Sequence, residues 1–148
     1  MEKKDIADLL SKLLLPLGYK KKGFSWVKNG DEISKLVKLR RSQFGELYYI
    51  DYGFNINAMP IEKGTTHVFG GFGSTDLKAN ERIKELLNLE NNIPDIERLF
   101  ALEELLNIEL LPSIQGVDSE DDLLNYLKER SELPYARLIV KSFFGFEE

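Results

Sequence analysis

The side chains able to do chemistry in this 148-residue chain fall in five places. Lys20, Lys21 and Lys22 stand beside Phe24 and Trp26, the mixture that grips phosphate and stacks on bases. The run Phe69-Gly-Gly-Phe-Gly-Ser-Thr-Asp76 sets glycines between an expected strand and a helix start. There the amides of Gly71, Gly73, Ser74 and Thr75 could hold an anion. His67 is the only histidine. Four acidic residues crowd the segment Asp118–Asp122. Lys38, Arg40, Tyr49, Asp51 and Asn55 converge on one surface if their two strands pair.

Each place also has a plainer reading. The lysine triplet follows a helix end, where cations favour the negative end of the dipole, and a sequence pI near 5.1 disfavours a nucleic-acid partner. The glycine run lacks a Walker lysine and a parallel βαβ unit, so it can simply end a strand and turn sharply into a helix. One histidine with no cysteine cannot assemble a typical zinc site, and no nucleophile-elbow sequence supports a Ser/His/Asp triad. The acidic segment lacks the alternating ligands, central glycine and late glutamate of a calcium loop, whereas acids suit a helix N-terminus. No metal, cofactor or catalytic residue is therefore expected. The Lys38–Asn55 surface has a plain reading as solvated cross-strand charge pairs, yet Tyr and Arg are enriched among interface hot spots.

The elements that must position these residues read as one domain over 1–148, of a size that supports a single core. Ile6, Leu9, Leu10, Leu13, Leu14 and Leu17 recur at helical spacing. Pro16 and Gly18 stop that helix, with Gly18 suited to a left-handed cap. Asn29-Gly30 predicts a two-residue type I′ hairpin loop. Lys28 then faces Asp31, Trp26 faces Ile33 and Phe24 faces Lys35. Phe24, Trp26, Ile33, Val37 and Leu39 fall on a core face, and Ser25, Ser34, Leu36, Lys38 and Arg40 on the other. Tyr48, Ile50, Tyr52, Phe54 and Ile56 alternate through a third strand, and residues 67–72 supply a fourth, completing a meander.

Helices follow. One is capped by Ser74, Thr75 or Asp76. A second opens at Pro94 and Asp95 with Ile96, Leu99, Phe100 and Leu106 on its apolar side. Ser119 caps a third. Residues 134–144 read as helix from Pro134 and Gly145, although Ala136, Leu138, Val140 and Phe144 also alternate like a strand. The expected fold is α+β: an N-terminal helix, a four-stranded antiparallel sheet and C-terminal helices packed on one face.

Charge is distributed unevenly. Residues 1–45 hold 11 Lys/Arg against 5 Asp/Glu, and residues 46–148 hold 9 against 20. This suits either mutual neutralisation or separate patches for partners. The absence of cysteine, of an uninterrupted apolar leader and of a run near 20 apolar residues points to a cytoplasmic protein with no membrane association.

The strings LLLPLGYKKKGFSWVKNGDE, LRRSQFGELYYIDYGFNIN and NERIKELLNLE, followed by LLPSIQGVDSEDDLLNYL, together resemble the bacterial family called domain of unknown function 4304. The chain departs from the pattern at NNIPDI, where relatives often carry Trp pairs. The resemblance implies an α+β fold in a cytoplasmic bacterial protein and brings no activity or catalytic residue. The occurrence of some relatives near toxin–immunity clusters implies an inhibitor role. The favoured reading is a non-catalytic protein-binding domain of the immunity type, whose acidic helical half could mimic nucleic acid towards a basic toxin. The alternative is a small hydrolase or nucleotide- or anion-binding enzyme using residues 70–76.

Overall fold

The computed structural model describes residues 1–60 and 66–146. Helix α1 spans Lys3–Leu14 and buries Ile6, Leu9, Leu10 and Leu14 along the expected stripe. A short 3-10 turn at Leu15–Leu17 ends it. Gly18 takes the expected left-handed conformation (φ 96°), its N–H donating to the Leu15 carbonyl. Five antiparallel strands follow in meander order: β1 Lys20–Lys22, β2 Ser25–Lys28, β3 Ile33–Arg41, β4 Tyr48–Ile56 and β5 Val68–Gly71.

The extra strand and the hairpin register correct the sequence reading together. The lysine triplet is strand β1 rather than a connection, and the tight turn is Gly23-Phe24, two residues between the Lys22–Ser25 pair. Gly23 carries the positive φ (63°) that a type II′ turn requires at its first central position. Asn29-Gly30 forms no primed turn, since neither residue has positive φ. It lies in a wider connection, where a Cβ on Gly30 would meet the Ile33 carbonyl oxygen at 2.5 Å. The Asn57 amide holds that connection by donating to the carbonyls of Gly30 and Asp31 at 2.7 and 3.1 Å. Trp26 consequently pairs with Val37, and Lys28 with Lys35, four residues along from the expected partners. An even shift leaves the residues that remain paired on their expected faces.

Phe24 is the casualty of that correction. It sits in the turn, 40% exposed, with the Lys3 ammonium 4.0 Å from its ring centroid, and does not join the core. Trp26 is fully buried, and its indole N–H donates to the Ser11 hydroxyl of α1 at 3.0 Å. Tyr48, Ile50, Tyr52, Phe54 and Ile56 are all buried as expected.

The remaining helices are α2 Leu77–Leu87, α3 Asp95–Leu105, α4 Leu111–Gln115, α5 Glu120–Glu129 and α6 Leu138–Phe143, with a π-helical turn at Leu106–Leu110 between α3 and α4. Asp76 is the cap of α2, accepting from the Lys78 and Ala79 amides. Helix α3 turns a different stripe inward from the one expected. Arg98, Leu102 and then Leu106 are buried, whereas Ile96 and Phe100 are 85% and 70% exposed. Ile96 and Phe100 lie about 200° around the helix from Arg98. Arg98 explains the orientation: its guanidinium donates to the carbonyls of Leu86, Asn88 and Asn91, satisfying the open C-terminal end of α2. Burial pulls its pKa below the usual guanidinium value, and no carboxylate of the described residues is bonded to it.

Ser119 and Asp122 form the capping box of α5. The Phe54 and Tyr126 rings meet edge to face, and the Tyr52 and Tyr126 hydroxyls are 2.7 Å apart, which docks α5 on the inner sheet face. The last segment is helical, a 3-10 turn at Leu133–Tyr135 and then α6. Among the described residues no helix is long and apolar enough to cross a membrane.

Candidate functional site

With the helices on one face, the other face of the sheet is left to solvent, and cross-strand pairing decides what it displays. One row reads Lys22, Ser25, Lys38, Asp51, Gly71; the next reads Lys20, Val27, Leu36, Gly53, Phe69. Arg40 lies opposite Tyr49, and Ser34 opposite Asn55. Lys38, Arg40, Tyr49, Asp51 and Asn55 therefore share one face.

Arg40 is the hub. Its Nε donates to Asp51 Oδ2 at 2.8 Å and its Nη2 to Oδ1 at 3.5 Å, while the guanidinium carbon lies 4.5 Å from the Tyr49 ring centroid. The bond to Asp51 holds the guanidinium above its usual pKa. Both partners of this pair are partly solvated, so it contributes about 0.2–1 kcal/mol and serves to orient Arg40 more than to hold the fold. Asn55 is committed locally, its Oδ1 accepting from the His67 amide at 3.0 Å. Lys38 faces Asp51 in register but, like Lys20 and Lys22, forms no ion pair with a described residue.

Between these groups runs a groove of about 850 Å³. Leu36 and Gly53 line it, Phe69 stands at 71% exposure beside them, and Lys38, Arg40 and Asp51 edge it. Arg137, just ahead of α6, also lines it and donates to the Thr66 carbonyl at 3.3 Å. The arrangement joins an apolar floor to a mostly cationic rim. Sequence reasoning missed Phe69, Thr66 and Arg137, which depend on the β4–β5 pairing and on where the chain end returns. Lys20 and Lys22 were recoverable from Gly23 as a turn residue.

The other sequence candidates have local duties. In the glycine run, a Cβ on Gly70 would fall 2.7 Å from the Tyr52 ring, so this glycine makes room for a core aromatic. Of the amides beyond it, Ser74 N–H donates to Asn80 Oδ1 at 3.4 Å and Asp76 N–H to Ser74 Oγ at 3.1 Å. The Ser74 hydroxyl in turn donates to Glu109, which places a carboxylate beside the loop. Gly71 faces open space, and Thr75 is exposed.

His67 is buried; its Nδ1 accepts from the Ile56 amide at 2.8 Å and its Nε2 donates to the Pro60 carbonyl at 2.9 Å, so both ring nitrogens are bonded. Asp118 pairs at 2.9 Å with Lys35, a lysine buried on the inner face. Asp122 accepts from the Asp118 and Ser119 amides, which hold its carboxyl below the ordinary carboxylate range. Among the described residues no group of three or more His, Cys, Asp or Glu could hold a metal ion.

The family model described as "Domain of unknown function (DUF4304)" matches residues 10–113, well over half of the chain. This chain belongs to that family. The match in DUF4304 takes in all five strands, and with them every sheet residue of the groove; Arg137 lies beyond it. No curated protein and no solved structure matches the chain.

Proposed function

We propose that this DUF4304 protein is a non-catalytic binding domain that docks a protein partner on the open face of its sheet. The observation that carries the reading is the groove itself: an apolar floor beside two outward aromatics and a fixed Arg40–Asp51 pair, on a sheet whose other face is fully used by the core. Rigid Tyr and Arg side chains are the residue types that supply most interface energy. A cytoplasmic bacterial home and an immunity-type inhibitor role accompany this reading. A cysteine-free chain supports the first, and the resemblance to a family some of whose members occur near toxin–immunity clusters supports the second. The enzyme reading through residues 70–76 is less favoured, because the Ser74 hydroxyl is bonded to Glu109, whose carboxylate beside the loop opposes an anion there.

The test is affinity capture from the native host, identification of the captured protein and titration of the purified pair. Arg40→Ala with Tyr49→Ala should weaken binding by about 2 kcal/mol or more while leaving the unfolding midpoint nearly unchanged. Binding that survives this double variant, and fails instead when the exposed acids Glu104, Asp121 and Glu129 are neutralised, places the partner on the helical half and sinks the proposal.

A further inference from the structure

Resting on that docking reading, the geometry points to the kind of segment the open face takes: an extended, acidic peptide of the partner, with an apolar side chain seated beside Phe69. Three observations lead there. First, Lys20 and Lys22 on β1 and Lys38 on β3 share this face, and none forms an ion pair with a described residue. The chain is net acidic, yet Asp51 on this face is bonded to Arg40, and Glu46, Asp118 and Glu103 pair with Arg41, Lys35 and Lys12. A row of uncompensated cations on an otherwise acidic protein is a local potential that selects a complementary anionic partner.

Second, spacing favours an extended chain. Lys20 and Lys22 are two residues apart on one strand, so their side chains repeat at about 7 Å, which matches alternate side chains of an extended peptide. Lys38 lies two strands away from Lys22, about 10 Å across the sheet. Carboxylates on alternate residues can therefore meet Lys20 and Lys22, and one about three residues further on, where the peptide crosses the sheet, can meet Lys38.

Third, the neighbouring row is apolar. Val27, Leu36, Gly53 and Phe69 run across four strands, with Thr66 packed over Gly53 and the Phe69 ring exposed beside it. A polyanionic nucleic acid fits less well. Asp51 follows Lys38 on the same row, and the Tyr49 face is already covered by Arg40, so that ring is not free to stack on a base.

The experiment uses the full chain and a fluorescein-labelled octapeptide, Glu-Glu-Leu-Glu-Glu-Phe-Glu-Glu, read by fluorescence anisotropy and by amide NMR shifts. Controls are the same peptide with Lys for Glu, one with Ser for both apolar residues, and oligothymidylate. The expected result is binding of the acidic amphipathic peptide that weakens at about 0.3 M salt, with shifts confined to β1–β5. Lys22→Glu with Lys38→Glu should weaken it about tenfold or more, and Phe69→Ser should weaken it severalfold, both with unchanged circular dichroism.

Tighter binding of oligothymidylate, lost in the same lysine variant, overturns the peptide in favour of nucleic acid. Unchanged affinity in the lysine variant, or shifts confined to the helices, also overturns it. Failure of the octapeptide to bind while a captured partner still depends on Arg40 and Tyr49 removes this inference and leaves the docking face standing. Loss of that dependence removes the docking face itself.

Discussion

The two faces of the sheet are built from alternate residues of the same strands, and they obey different rules. Tyr52 and Tyr49 make the contrast on β4. Tyr52 is 5% exposed, and its hydroxyl bonds that of Tyr126, whose own pKa is pushed up by burial and by that bond. Tyr49 is half-exposed and meets the Arg40 guanidinium in water. The glycines serve both faces alike. Gly70 makes room for the Tyr52 ring on the inner face, and Gly53 for the methyl and hydroxyl of Thr66 on the outer one. On the inner face composition is dictated by packing; on the outer face packing asks for little, so an array such as Lys20, Lys22, Lys38 and Phe69 needs another explanation.

That contrast can be broken at either face. The largest expected effect is Tyr52→Ala, which empties a buried aromatic site and strands the Tyr126 hydroxyl; it should cost about 3–5 kcal/mol. Chemical denaturation reads it directly, and a wild-type midpoint would mean that the inner face is misassigned. Gly70→Ala is the subtler challenge. Its Cβ must displace the Tyr52 ring, an overpacking worth about 1–3 kcal/mol, and combined with Tyr52→Ala it should cost much less than it does alone. Additive losses would show that the ring is not what the glycine accommodates. The smallest effect belongs to the outer face: Lys38→Ala and Phe69→Ser should each shift stability by no more than about 0.5 kcal/mol. A clear loss there would show that the open face carries the fold and would remove the argument for a partner.

Much of the inner face was legible beforehand. The Leu stripe of α1, the five alternating residues of β4 and the caps at Gly18, Asp76 and Ser119 depend on neighbours within a few positions, so local periodicity and backbone preference reveal them. The convergence of Lys38, Arg40, Tyr49, Asp51 and Asn55 on one face was also legible, even though the hairpin register behind it was wrong. A shift of four residues preserves sidedness, so a mistaken turn at Asn29-Gly30 did not move them.

The sequence by itself thus determined which side each strand residue faces and where most helices begin. Tertiary structure decided which residues lie opposite one another, since the Gly23-Phe24 turn and the Asn57 amide set the connections. It also decided which helical stripe goes inward on α3, because the buried Arg98 had to meet the carbonyls ending α2. The groove is the clearest case of such a decision. Leu36, Gly53, Phe69 and Arg137 are spread over 101 positions of the sequence, and only strand pairing and the return of the chain end bring them together. Side-chain periodicity acts within a turn or a strand, whereas the groove depends on long-range contacts that no local pattern specifies.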